Sequence, residues 1–240
     1  LDRNLLVPEF IEVKKIDKND FIGFPIPKYE KDIEQYTEDD CRFYGIMLGD
    51  GNISSVNNLA YVALNKDTKK DTMDFVENYL TKMNIHITYT YAHDKYVRLT
   101  WTRTNMFKFT YEMLYDANKE KYVIPNMLHL PKPKILNIIK GVLETDGKVN
   151  DYQIVLEITS LSIVESIRYM LLRLGILTSG TVRDRRNESH ITKYNSLIRN
   201  TKISYILIVP KKQIICDLFK HKNLTTSGSF TFFEYKEYLF

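Results

Sequence analysis

Cysteine is scarce in this chain: Cys41 and Cys216 stand alone among 240 residues, with no C-x-x-C spacing. That argues against a disulfide framework and against a cysteine-built zinc site. Long apolar runs are missing as well, and none approaches the roughly 18–20 residues of a membrane span. Residues 1–12 scatter Asp2, Arg3, Pro8 and Glu9 among their apolar positions, unlike a signal peptide. There is no glycine-rich or serine-rich linker; Pro131 and Pro133 merely punctuate the middle of the sequence. Neither sign of charge dominates, since 34 basic residues against 30 acidic ones leave a net charge of +4. The expectation is a soluble intracellular protein, large enough to bury a core as one domain or two.

What is present is a repeat. Phe43-Tyr44-Gly45-Ile46-Met47-Leu48-Gly49-Asp50-Gly51 is matched by Ile139-Lys140-Gly141-Val142-Leu143-Glu144-Thr145-Asp146-Gly147. Each is an apolar helical stretch with small residues four apart, closed by Asp-Gly. Small residues at that spacing share one helix face and let two helix backbones approach. Glycine within a helix costs roughly 1 kcal/mol against alanine, so packing is the compensation expected. If the two faces pair, Asp50 and Asp146 meet at helix C-termini, where like charge and helix dipole both oppose them. A divalent cation answers both, and hard oxygen ligands with little histidine favour Mg²⁺. Paired carboxylates holding Mg²⁺ suggest phosphodiester hydrolysis.

The segments after each Asp-Gly follow one order. The first half reads as a strand over 59–65, a helix over 72–83 capped by Thr72, strands over 85–91 and 95–103 turning at Ala92-His93-Asp94, and a helix over 105–115. The second reads as a strand over 152–159, a helix over 162–174 stopped by Gly175, strands over 178–186 and 202–209, and a helix over 211–219. The expected class is α+β with antiparallel sheets. Val97, Leu99 and Trp101 share one strand face while Arg98, Thr100 and Thr102 share the other, which is either a solvent face or a ribbon fitted to a DNA major groove. Arg183, Arg185, Arg186, Lys193, Arg199 and Lys202 crowd a stretch that holds only Asp184 and Glu188 as acids. Such a loop suits phosphate and base contacts, or is simply solvated.

With these residues in view, the sequence resembles the LAGLIDADG homing endonucleases in their single-chain, two-motif form, over about residues 39–222. The resemblance implies two αββαββα units with motif helices packed at their interface. It also implies saddle-like sheets on double-stranded DNA, a monomer with internal pseudo-two-fold symmetry, and Mg²⁺-dependent cleavage of both strands leaving short 3′ overhangs. It makes Asp50 and Asp146 the metal-binding acids. It adds a lysine from each half: Lys121 ahead of Ile124-Pro125, with Lys119 in reserve, and Lys222 or Lys220 after the second closing helix. The implied division is an arm over 1–38, half-domains over 39–130 and 131–224, and an arm over 225–240. The stretches Val13 to Pro27 and Glu234 to Phe240 look like junctions with the splicing domain of an intein, although the chain has no splicing nucleophile of its own. An RNA-binding splicing maturase and a non-catalytic DNA-binding regulator are the alternatives on the same fold.

Overall fold

The computed structural model describes residues 9–17, 20, 25–92, 95–186, 188–191, 197–199, 201–219 and 226. The first half runs α1 (Glu38–Gly49), β1 (Gly51–Ile53), β2 (Leu59–Asn65), α2 (Lys70–Lys82), β3 (Ile87–Ala92) and β4 (Tyr96–Thr102). The second runs α3 (Lys132–Asp146), β5 (Gly147–Val149), β6 (Gln153–Ile158), α4 (Leu161–Arg173), β7 (Ser179–Arg183), β8 (Ser189–Ile191), β9 (Leu197–Arg199), β10 (Ser204–Pro210) and α5 (Gln213–Leu218). Each half builds a four-stranded antiparallel sheet with the same strand order, β1-β2-β4-β3 and β5-β6-β10-β7. The class is α+β, as the alternation of the strands predicts.

Local chemistry sets the helix starts. Thr37 and Asp40 form a capping box at the head of α1, each satisfying the other's backbone N–H. Ser160 caps α4 by accepting from the Ile163 amide, and Gly175 ends it in the left-handed region at φ 73°. Helix α2 departs from the sequence reading. It begins at Lys70, and Thr72 is buried inside it rather than capping it.

The largest correction concerns residues 105–115, where a helix is expected and the only helical residues are a 3₁₀ turn at Tyr111–Met113. Phe107 and Phe109 are both buried against Phe43, with ring centroids 6.0 and 5.8 Å away. Side chains two apart face opposite ways on a helix but can share a core when the backbone is irregular or extended. Lys108 between them donates to Asp40 Oδ2 (2.6 Å), and Tyr79 donates to Asp40 Oδ1 (2.6 Å), so the extended path is locked at a buried carboxylate. Lys108 holds the Asp40 carboxyl below its usual range against the opposing effect of burial.

Helices α1 and α3 pack along their lengths, and glycine makes this possible. A Cβ on Gly45 would stand 2.2 Å from the Ile138 carbonyl oxygen, and one on Gly141 2.2 Å from that of Arg42. Backbone atoms cannot yield, so Gly141→Ala is expected to lower stability by roughly 1–3 kcal/mol. Urea unfolding of the variant measures it, and an unchanged midpoint would show that the helices are free to separate. The glycine after each aspartate has its own reason. A Cβ at Gly51 would lie 2.5 Å from Met47 Cα, and one at Gly147 would lie 2.3 Å from the Leu143 carbonyl oxygen. Each strand therefore leaves its helix by turning back tightly over the last turn.

The first half fills its core with aromatics, Phe43, Tyr79, Trp101 and Phe109 among them, while the second uses Ile154, Leu156, Ile167, Met170, Leu171 and Val209. The segment before α1 reaches the stretch that leads into α3 and the start of α3 itself. Lys31 N donates to the His129 carbonyl (2.8 Å), Tyr29 packs edge-on against the His129 ring, and Lys134 at the start of α3 binds Asp32 (2.5 Å). Among the described residues no helix is long and apolar enough to cross a membrane.

Candidate active site

The pairing of α1 with α3 delivers Asp50 and Asp146 together. Asp50 is the C-cap of α1, and Asp146 is the last residue of α3. The ideal Cβ position of Gly49 lies only 2.9 Å from Asp146 Oδ2, so the second carboxylate sits against the end of the first helix. Burial, then the charge of Asp50, pushes the Asp146 carboxyl up to about 6. Among the described residues nothing donates a hydrogen bond to that carboxylate.

Two lysines enter the same space. Lys121 Nζ donates to the carbonyls of Met47 (3.0 Å) and Gly49 (2.6 Å), oxygens left without amide partners by the end of α1. Burial pulls the Lys121 ammonium down to about 8, opposed by Asp146 and Asp50. The loop that presents it is tightly made. Asp116 accepts from the amides of Asn118 and Glu120 (2.9 Å each), Lys119 adopts φ 62°, and Tyr115 bridges Lys121. Lys119 thus shapes the turn and makes none of the Lys121 contacts. Ser160 Oγ of the second half donates to the Lys121 carbonyl (2.6 Å), tying the loop to α4.

The second lysine, Lys69, was not among the sequence candidates. Its Nζ donates to Asp50 Oδ2 (2.6 Å) and to the Thr145 carbonyl, linking the two helix ends. The structure makes Lys69 the N-cap of α2, a place where the helix dipole opposes a cation, whereas the sequence reading starts that helix at Thr72 and so gives no local signal for it. The remaining lysine candidates, Lys220 and Lys222, lie outside the described residues, as do Lys193, residues 93–94 of the expected hairpin turn, and the C-terminal stretch from Glu234 to Phe240.

The strand residues fall as their alternation predicts. Val97, Leu99 and Trp101 are buried, whereas Arg98, Thr100 and Thr102 lie on the opposite, outer face. The basic stretch differs in a way charge counting cannot show. Arg183 is bound to Glu157 (3.0 Å), Arg186 to Asp184 (2.7 Å), Arg185 to Glu188 (3.6 Å) and Lys202 to Glu120 (3.0 Å). Arg186 lowers the Asp184 carboxyl to about 2. These pairs are solvent-exposed, so water screens them and each holds its arginine or lysine only weakly. Arg199 belongs to β9, which pairs with β8 inside this stretch.

Residues 133–215 match the family model of the LAGLIDADG-like domain. In fold, the chain is similar to the homing endonuclease I-DmoI in complex with DNA and Ca, with TM-score 0.53, 13% identity, and 77% of this chain covering 88% of that one. The chain has the LAGLIDADG fold. A variant of I-DmoI in complex with its target DNA and 2 mM Mg is also similar, with TM-score 0.52 and 12% identity over 77% of this chain and 94% of that one. Full-length DUF199/WhiA from Thermatoga maritima matches with TM-score 0.50 and 9% identity, over 78% of this chain and 56% of that one. Among curated proteins none matches by sequence. Helices α1 and α3 carry the repeated segment, and each ends at its aspartate directly before the first strand of its sheet.

The donor set at those ends fits a hard divalent cation. It comprises two carboxylates, one of them without a hydrogen-bond donor among the described residues, and carbonyl oxygens already turned toward lysine ammonium groups. Among the described residues no group of three or more His, Cys, Asp and Glu gathers to hold a metal ion, so the two carboxylates would rely on carbonyl oxygens and water to complete a cation's shell.

Proposed function

We propose that this chain is a site-specific DNA endonuclease that cuts both strands of a long, asymmetric target, using one acid from each half. The observation that carries the reading is the meeting of Asp50 and Asp146 between two lysines, with Arg98, Thr100 and Thr102 on the outer face of the first sheet. Asp50 and Asp146 would hold Mg²⁺, which when bound supplies positive charge against the charge that builds on the phosphate. The residues of the chain do the rest. Lys69 orients the Asp50 carboxylate. Lys121, held near an ordinary assay pH by its burial, can keep or release a proton at Nζ beside the scissile phosphate. Water adds to phosphorus and the 3′ oxygen leaves, once on each strand.

The unlike outer faces of the two sheets support an asymmetric target, read by a monomer with internal pseudo-two-fold symmetry. The arms and half-domains divide as the repeat suggests, at 38, 130 and 224. The Val13 to Pro27 segment supports an origin within an intein.

The test is incubation with Mg²⁺ and a long randomised duplex library. Double-strand products with short 3′ overhangs are expected, their yield falling steeply with salt. Tight DNA or RNA binding without any cut product would overturn the nuclease reading and favour a regulator or a maturase.

A further inference from the structure

The two sheets treat their outer-face arginines differently. On the second sheet Glu157 and Arg183 close on each other, with Arg183 Nη1 3.2 and 3.0 Å from the two carboxylate oxygens. On the first sheet Arg98 has no carboxylate partner among the described residues, and its guanidinium lies over the Tyr61 ring, 4.5 Å from the centroid. The register explains the space around it. Arg98 is flanked by Ala63 on β2 and Thr90 on β3, both too short to cover it. A guanidinium stacked on a ring loses little further freedom when it binds, and it keeps its planar fork of donors open.

Its place relative to the acids is also fixed. Ala63 N donates to the Asp50 carbonyl (3.2 Å), and Ala63 is the cross-strand partner of Arg98. Arg98 is therefore two strand spacings from Asp50, about 10 Å. At 3.4 Å per base along a strand, that is roughly three base-pair steps.

We infer that Arg98, braced by Tyr61, reads a guanine of the half-site bound by the first sheet, about three base pairs from the cleavage centre. The inference rests on the DNA-binding reading above. A flat fork free of acids matches the O6 and N7 acceptors of guanine in the major groove, and no other base offers that pair. Arg183 carries the same fork, but Glu157 already engages its Nη1.

The experiment is binding selection from a fully randomised duplex pool without added metal, so that cleavage plays no part. The full chain is compared with Arg98→Ala, Arg98→Lys and Tyr61→Ala. The unaltered protein should enrich guanine at one position, roughly three base pairs from the centre of its site. Arg98→Ala and Arg98→Lys should each lose that preference by roughly 5- to 150-fold and keep the preferences elsewhere. Arg98→Lys should also leave the salt dependence unchanged, and Tyr61→Ala should weaken the same position alone. An unchanged base profile would overturn the inference. So would a uniform loss across all sequences with a shallower salt slope, the signature of a phosphate contact. If the unaltered protein enriches no duplex at all, the DNA-binding reading falls first and this inference with it.

Discussion

Asp146→Asn is expected to abolish strand cleavage and at the same time to stabilise the metal-free protein at neutral pH. On the proposed reading, losing one of the two carboxylates removes several kcal/mol of transition-state stabilisation, and about 4 kcal/mol corresponds to a ~10³-fold slower cut. The stability effect follows from the raised carboxyl. In the unfolded chain Asp146 titrates near 3.8, and in the fold near 6, because burial and Asp50 both disfavour its charge. Between those values the folded chain binds more protons than the unfolded one, so stability is greatest below about pH 4 and falls as pH rises through 6. At pH 7.5 the penalty is fully present, about 2 kcal/mol once partial exposure is allowed for. Asparagine removes it. Melting in EDTA should therefore rise by about 4–8 °C at pH 7.5 for a chain of this size, with little difference below pH 4. Added Mg²⁺ should raise the melting temperature of the unaltered protein more than that of the variant. A variant that melts lower than its parent at pH 7.5, or one that cuts both strands at full rate, would contradict this account.

The second large effect concerns Arg42 and Glu144, which join α1 to α3 with two parallel hydrogen bonds, Nε to Oε2 (2.9 Å) and Nη2 to Oε1 (2.8 Å). The Arg42 guanidinium also lies over the Phe75 ring at 3.9 Å. The side chains are 16% and 4% exposed, so neither charge has much water to fall back on. Arg42→Ala leaves Glu144 buried without its partner and should cost about 3–5 kcal/mol in urea unfolding. The pair exchanged together, Arg42→Met with Glu144→Leu, should recover most of that loss, because a well-packed apolar pair escapes the cost of burying charge. If the single variant loses under ~1 kcal/mol, the pair is open to solvent and does not hold the helices. The positions corresponding to Arg42 and Glu144 in the other copy of the repeat are Ile138 and Leu48. The helix contact is therefore ionic on one side and apolar on the other.

Some of this was legible in the sequence. Two Asp-Gly ends and small residues four apart gave the helix pairing and placed both acids in one site. Period-two alternation gave the faces of β4, and Gly175 gave the stop of α4. Other parts were not legible. A helix is the natural reading of residues 105–115 until Phe107 and Phe109 are seen to share one core, and the basic stretch looks like free charge until its acids are found. Lys202 meets Glu120 from the other half, and Arg183 meets Glu157 from another strand.

The sequence by itself determined what depends on neighbours along the chain: the alternation of β4, the stop at Gly175, and the repeated acid at a helix end. Only the tertiary structure decided which charges face one another. It put Lys69 between Asp50 and the Thr145 carbonyl, left Asp146 half-buried beside Asp50, and left Arg98 stacked on Tyr61 while Arg183 was engaged by Glu157. The reason is range. Periodicity is written within a few residues, whereas a buried charge acquires its partner and its proton affinity from groups that folding brings together from distant parts of the chain.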